Sequence, residues 1–143
     1  MEKQLKIPFR LIKIEEIQLS LFEKNINLEA PVDQNVGFGF GANVEDRIIA
    51  CSLSFTLEKE DKPFINIEVA CHFEIEEKSF KTKLLQKDVL KIDKDFASHL
   101  AMITVGTTRG VLYAHTKSTP FEEYFIGLLN VQEMIDEDIE MTL

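Results

Sequence analysis

The chain has 143 residues, 45% of them apolar and 29% charged, and 16 basic against 25 acidic side chains leave a net charge of −9. That length predicts one domain over residues 1–143, with a core that stands without metal or disulfide staples, and the apolar content excludes a disordered acidic tail. No apolar run reaches the roughly 20 residues of a membrane helix, and Met1–Pro8 has no apolar core of a secretory signal. A soluble, cytoplasmic protein is therefore expected. Nucleic-acid binders release counterions through a basic surface; this acidic chain, with no Lys/Arg block longer than a pair, reads against that class.

The first third reads as extended. Ile12 and Ile14 alternate, Glu15-Glu16 interrupts them, and Ile17, Leu19 and Leu21 resume against Gln18 and Ser20. Ile26 and Leu28 carry the run on after Glu23-Lys24, in a shifted phase that predicts a bulge or a change of covering partner, and Pro31 ends it. Val36–Gly41 is a further short strand with Phe38 and Phe40 between glycines; it lacks the spacing and the following helix of a phosphate loop. From Ile49 to Leu57, Ile49, Cys51, Leu53, Phe55 and Leu57 share one face. From Phe64 to Glu76, Ile65, Ile67, Val69, Cys71, Phe73 and Ile75 do the same. Separated by the polar stretch Glu58–Pro63, the two segments predict an antiparallel hairpin. Both cysteines fall on apolar faces and read as core, with no zinc spacing around them.

The last third changes period. Phe96, Leu100, Ile103, Thr107, Val111 and Ala114 recur at helical spacing, with Asp93 or Asp95 as N-cap. Gly106, Gly110 and three threonines lower its intrinsic propensity, so this helix needs tertiary packing. An aromatic loop follows, with Phe121, Tyr124, Phe125, Ile126, Leu128 and Leu129, and a second helix is predicted from Asn130 through Val131, Met134 and Ile135 into Asp136–Glu140. Strands first and helices second give an α+β domain.

Little in the chain reads as catalysis. His72 lies on the polar face of a strand, His99 and His115 sit at opposite ends of the helix, and no HxxxH, CxxC or GxSxG occurs. The pairs Glu15-Glu16 and Glu76-Glu77 are adjacent, and adjacent strand residues point to opposite faces. No enzyme activity, cofactor or metal is expected. The informative feature is the aromatic loop, which must pack on the sheet, enter a subunit interface or line a groove for a partner.

Two places resemble the SecB family of protein-export chaperones. Lys24-Asn25-Ile26-Asn27-Leu28-Glu29-Ala30-Pro31 is similar to the end of that family's first strand. Arg109 and Asn130-Val131, 21 residues apart, match its helix arginine and the pair that opens its last helix, and Phe121 falls where the family has an aromatic after the long helix. The resemblance spans about Ile17 to Ile135. It implies a four-stranded antiparallel β-sheet followed by two C-terminal helices packed on one face, assembling as a homotetramer, a dimer of dimers. It also implies an ATP-independent holdase that keeps unfolded or precursor polypeptides in apolar grooves, with possible delivery for export. The matching client-binding positions are Phe38, Phe40, Phe55 and Leu57 on the strands and Phe121, Tyr124, Phe125, Ile126 and Leu129 on the loop. Asn25, Glu29 and Glu68 match positions that dock the translocation motor SecA.

The chain departs from the family in three places. Asn25 stands where the docking surface has Asp, Ile126-Gly127-Leu128-Leu129 replaces a proline-rich loop, and no long acidic tail follows before Leu143. A dedicated SecB-like chaperone of a toxin–antitoxin pair, with an antitoxin as partner, is the alternative within the same physics. A non-enzymatic small-ligand or interaction domain is the alternative outside it.

Overall fold

The computed structural model describes residues 6–143; the reading of Met1–Leu5 as free of a secretory segment lies outside them. β1 (Phe9–Leu21), β2 (Asp33–Asn43), β3 (Ile48–Lys59) and β4 (Lys62–Ile75) form an antiparallel sheet in the spatial order β1-β4-β3-β2. The predicted hairpin is its centre. Ile49 pairs with Phe73, Cys51 with Cys71, Leu53 with Val69, Phe55 with Ile67 and Leu57 with Ile65, and all ten side chains are at most 5% exposed. Partners across a ladder share a face, so the alternation of each strand becomes one continuous apolar surface. The turn between them places Glu60 and Asp61 at φ 53° and 62°, the left-handed pair of a tight hairpin. Just beyond it the register slips, so that Phe64 has no partner on β3 and both Phe64 and Ile65 are buried.

The first third departs from its reading. β1 ends at Leu21, and Glu23–Ile26 forms a one-turn helix, α1, so Ile26 and Leu28 do not extend the strand. The extra residues in β1 are Ile12 and Ile17, which have no partner on β4. These two bulges reset the phase and leave Glu15 and Glu16 on opposite faces. The Glu15 carboxylate accepts a 2.9 Å hydrogen bond from His72 on the uncovered face, and that of Glu16 one of 2.5 Å from His115 on the helix side.

One long helix, α2 (Lys94–Thr116), covers the apolar surface, resting on β3 and β4. Its N-terminus is doubly capped: the Asp93 carboxylate accepts from the Asp95 N–H at 3.0 Å, and the Asp138 carboxylate accepts from the Lys94 N–H at 2.8 Å. That second bond, with Lys91 beside it, holds the Asp138 carboxyl below its ordinary value. The buried hydroxyls of Thr104, Thr108 and Thr116 donate to the carbonyls of Leu100, Thr104 and Leu112, which satisfies three polar groups inside the core. No helix among the described residues is long and apolar enough to cross a membrane.

The C-terminal expectation is corrected. The second helix is a single turn, α3 (Val131–Met134), and Ile139–Thr142 is a strand. That strand, β7, pairs with β6 (Val89–Ile92), which also pairs with β5 (Leu85–Gln86), in a small second sheet. The acidic run Asp136–Asp138 ends the helix, and capture of Asp138 by the start of α2 turns the chain into the strand.

The two cysteines face each other across β3 and β4 as free, buried thiols. Burial pushes the Cys51 thiol from 9.0 to about 12, and the Thr104 hydroxyl beside it offsets part of that rise. A raised folded value favours the native state fully below the unfolded value and loses that advantage as pH climbs toward 12. Between pH 9 and 12 the native chain should therefore lose stability at about 1.4 kcal/mol per pH unit more than a Cys51→Ala variant. Urea unfolding of both at pH 8 and pH 10 measures this; parallel slopes would refute it.

Candidate functional site

The site suggested by the sequence lies on the helix-covered face of the sheet. On β2, Val36, Phe38 and Phe40 lie opposite Phe55, Leu53 and Cys51, so they point toward the core. They are only half-buried, because α2 rests chiefly on β3 and β4. β2 pairs with β3 at each of its positions, and its other edge has no partner among the described residues. This edge carries no proline, no lysine and no bulge, the devices that usually blunt a free strand.

The loop after α2 is laid down by alternating inward and outward side chains. Thr119 accepts from the Phe121 N–H at 3.1 Å and donates to the Thr116 carbonyl at 2.6 Å, turning the chain back from the helix end. Phe121 and Ile126 are buried, and Tyr124 packs edge-on against Phe64 at 4.8 Å. Phe125 points out, 53% exposed, and stacks on Tyr113 of α2 at 5.8 Å; Leu128 is 100% exposed. Arg109 reaches from α2 across to this loop. Its Nε donates to the Ile126 carbonyl at 2.7 Å and its Nη2 to the Gly127 carbonyl at 2.8 Å. Asn130 then caps α3 by accepting from the Glu133 N–H at 3.3 Å.

Of the nine predicted client-binding residues, Phe55, Leu57, Phe121 and Ile126 are core side chains that no partner touches in this arrangement. Phe38, Phe40, Tyr124 and Leu129 are half-buried, and Phe125 is exposed. The sequence reading of the site omitted Leu128, Tyr113 and the grip of Arg109. One signal for the last was present: from Phe96 to Thr116, Arg109 is the only Asp, Glu, Lys or Arg.

The docking trio is not brought together. Asn25 is engaged inside the fold, its Nδ2 donating to the Pro63 carbonyl at 2.7 Å. Glu29 is exposed in the segment before β2. Glu68 lies on the uncovered sheet face, between Gln18 and Ser54. That face also carries a shallow depression of about 300 Å³ floored by Gly39, Gly41, Ala50, Ser52 and Ala70, with the Glu15–His72 pair at its side. It shares only Phe40 with the predicted site and lies on the other side of the sheet.

No protein-family model matches the chain, and no curated protein matches it. Among solved structures, a SecB-like chaperone of Mycobacterium tuberculosis, in complex with a peptide from the HigA1 antitoxin, is similar over 85% of this chain and 91% of that one. The TM-score is 0.50 at 11% identity, a likeness that shows a SecB-like fold.

Asn25 and Glu29 separate a structural from a surface role. Asn25→Ala removes the bond to Pro63 and should cost about 1 kcal/mol, whereas Glu29→Ala should stay within about 0.5 kcal/mol. Urea midpoints check both, and equal effects would remove the distinction.

Proposed function

We propose that the protein is an ATP-independent holdase for unfolded polypeptides, acting without turnover. The observation that carries this reading is the apolar surface left open on a SecB-like fold: Phe125 and Leu128 face outward on the loop, and Phe38 and Phe40 stand half-covered along an unpaired strand edge. An unfolded chain offers apolar side chains and free backbone groups. Low-specificity capture therefore needs adaptable apolar contacts and an edge able to accept main-chain hydrogen bonds. The buried Phe55, Leu57, Phe121 and Ile126 form the floor beneath these contacts. Delivery to a translocation motor has less support, since Asn25 is engaged with Pro63 and Glu68 lies on the other face. A second reading, a dedicated chaperone of an antitoxin, is favoured by the similar structure, whose protein holds an antitoxin peptide.

We further propose a homotetrameric assembly. On the solvent side of α2, Met102, Gly106 and Gly110 leave an apolar, low-relief face. A Cβ at Gly106 or Gly110 would meet nothing within the protomer. Each glycine costs a helix roughly 1 kcal/mol against alanine, and close approach by a second copy's helix accounts for both.

The reading is tested by light scattering of a chemically denatured client diluted into stoichiometric protein without nucleotide. The parent should suppress aggregation, and Leu128→Asp should weaken suppression several-fold while leaving the fold intact, because this side chain is wholly in water. Phe121→Asp is the wrong probe: a carboxylate at this buried position costs several kcal/mol and unfolds the chain. Equal suppression by parent and Leu128→Asp would reject the site. For the assembly, Gly106→Leu with Gly110→Leu should give folded protomers of lower mass by sedimentation; an unchanged mass would reject the α2 interface.

A further inference from the structure

We propose that Arg109 latches the loop Phe121–Leu129 as a lid, and that an unfolded chain reaches the apolar floor only when this latch releases. The occupant rests on the holdase reading above; the latch rests on geometry alone. Arg109 is partly buried, yet no carboxylate is hydrogen-bonded or ion-paired to it among the described residues; its guanidinium is given to two main-chain carbonyls, Ile126 and Gly127. Among the described residues, the stretch 122–128 makes no other hydrogen bond to anything outside 119–128. Tyr113 lies one turn further along the same side of α2 and holds Phe125 by stacking. Arg109 and Tyr113 therefore grip three consecutive loop residues from one helix face.

What lies under the grip matches what the client site lacks. Phe121 and Ile126 are sealed by the loop itself, and Tyr124 covers Phe64. On the outer side little holds the loop down, since Gly127 has no side chain and Leu128 is wholly in water. Swinging this stretch away from α2 uncovers Ile126, Tyr124 and Phe64 together. A site competent only when open binds with an affinity reduced by the open fraction, so loosening the latch should tighten client binding.

The full chain is tested as parent, Arg109→Ala, Arg109→Lys and Tyr113→Ala. Limited chymotrypsin digestion under native conditions reads the lid, because Tyr124, Phe125 and Leu128 are its cleavage sites. Arg109→Ala should speed cleavage within 121–129 at least tenfold while cleavage elsewhere stays within twofold. Arg109→Lys should fall between, since one ammonium cannot span two carbonyls as the planar fork does. Tyr113→Ala should shift in the same direction by less. The concentration needed to protect a denatured client should fall with the increase in cleavage. Unchanged cleavage in Arg109→Ala and Tyr113→Ala would overturn the latch, as would acceleration spread evenly over sheet and helix. A locally opened variant that protects clients no better than an active parent would overturn the lid. Local opening with no client protection by any form, parent included, would keep the latch and reject the holdase reading instead.

Discussion

A single helix has to cover a four-stranded sheet, and it is too narrow to do so. Strands about 4.8 Å apart make a surface roughly 19 Å wide, whereas a helix with its side chains is about 10–12 Å across. Lengthwise α2 suffices: its 23 residues at about 1.5 Å each span about 35 Å. Crosswise it shields two strands. The inward residues of β3 and β4 are accordingly sealed, while Leu11 and Ile14 on β1 and Phe38 and Phe40 on β2 stay partly in water on the same face. The exposed apolar surface on which the functional reading depends thus follows from the element count.

The mismatch also explains what the loop after α2 does. It widens the cover at the β3–β4 turn end, where Tyr124 meets Phe64, and borrows its fastening from the helix through Arg109. On the opposite sheet face the floor of the depression is glycine, alanine and serine, and two charged pairs are matched locally, Arg10 with Glu74 at 2.9 Å and Glu15 with His72. The adjacent glutamates Glu15 and Glu16 tie down opposite faces of one strand, which is a structural use of a carboxylate pair.

The hairpin and the long helix were legible because each repeats its period over many residues. The alternation from Ile49 to Leu57 and from Ile65 to Ile75 survives intact in the buried set. Short elements were not legible: β5, β6 and β7 have two to four residues each, too few to show a period. Val131, Met134 and Ile135 have true helical spacing, and Asn130 does cap them, but the run was extended into Asp136–Glu140, where a tertiary bond to Lys94 decides the path. In the site, resemblance named Phe55 and Leu57 as contacts, although their own alternation had already placed them in the core. The lone charge on the helix marks Arg109, but its carbonyl partners and the exposure of Leu128 depend on where the loop lies in space, which no local pattern encodes.

The tight turn at Glu60-Asp61 bears on how the chain acquires this shape. Neither residue is glycine, and holding each in the left-handed region costs on the order of 1 kcal/mol. A hairpin with a glycine turn can close locally and zip outward; here closure is uphill until the apolar side chains meet. The ladder between β1 and β4 joins residues as far apart in sequence as Phe9 and Ile75, which makes non-local contacts prominent. Such a topology folds slowly compared with helical domains of similar size. During that interval its own greasy strands lie as open to water as those of any unfolded chain.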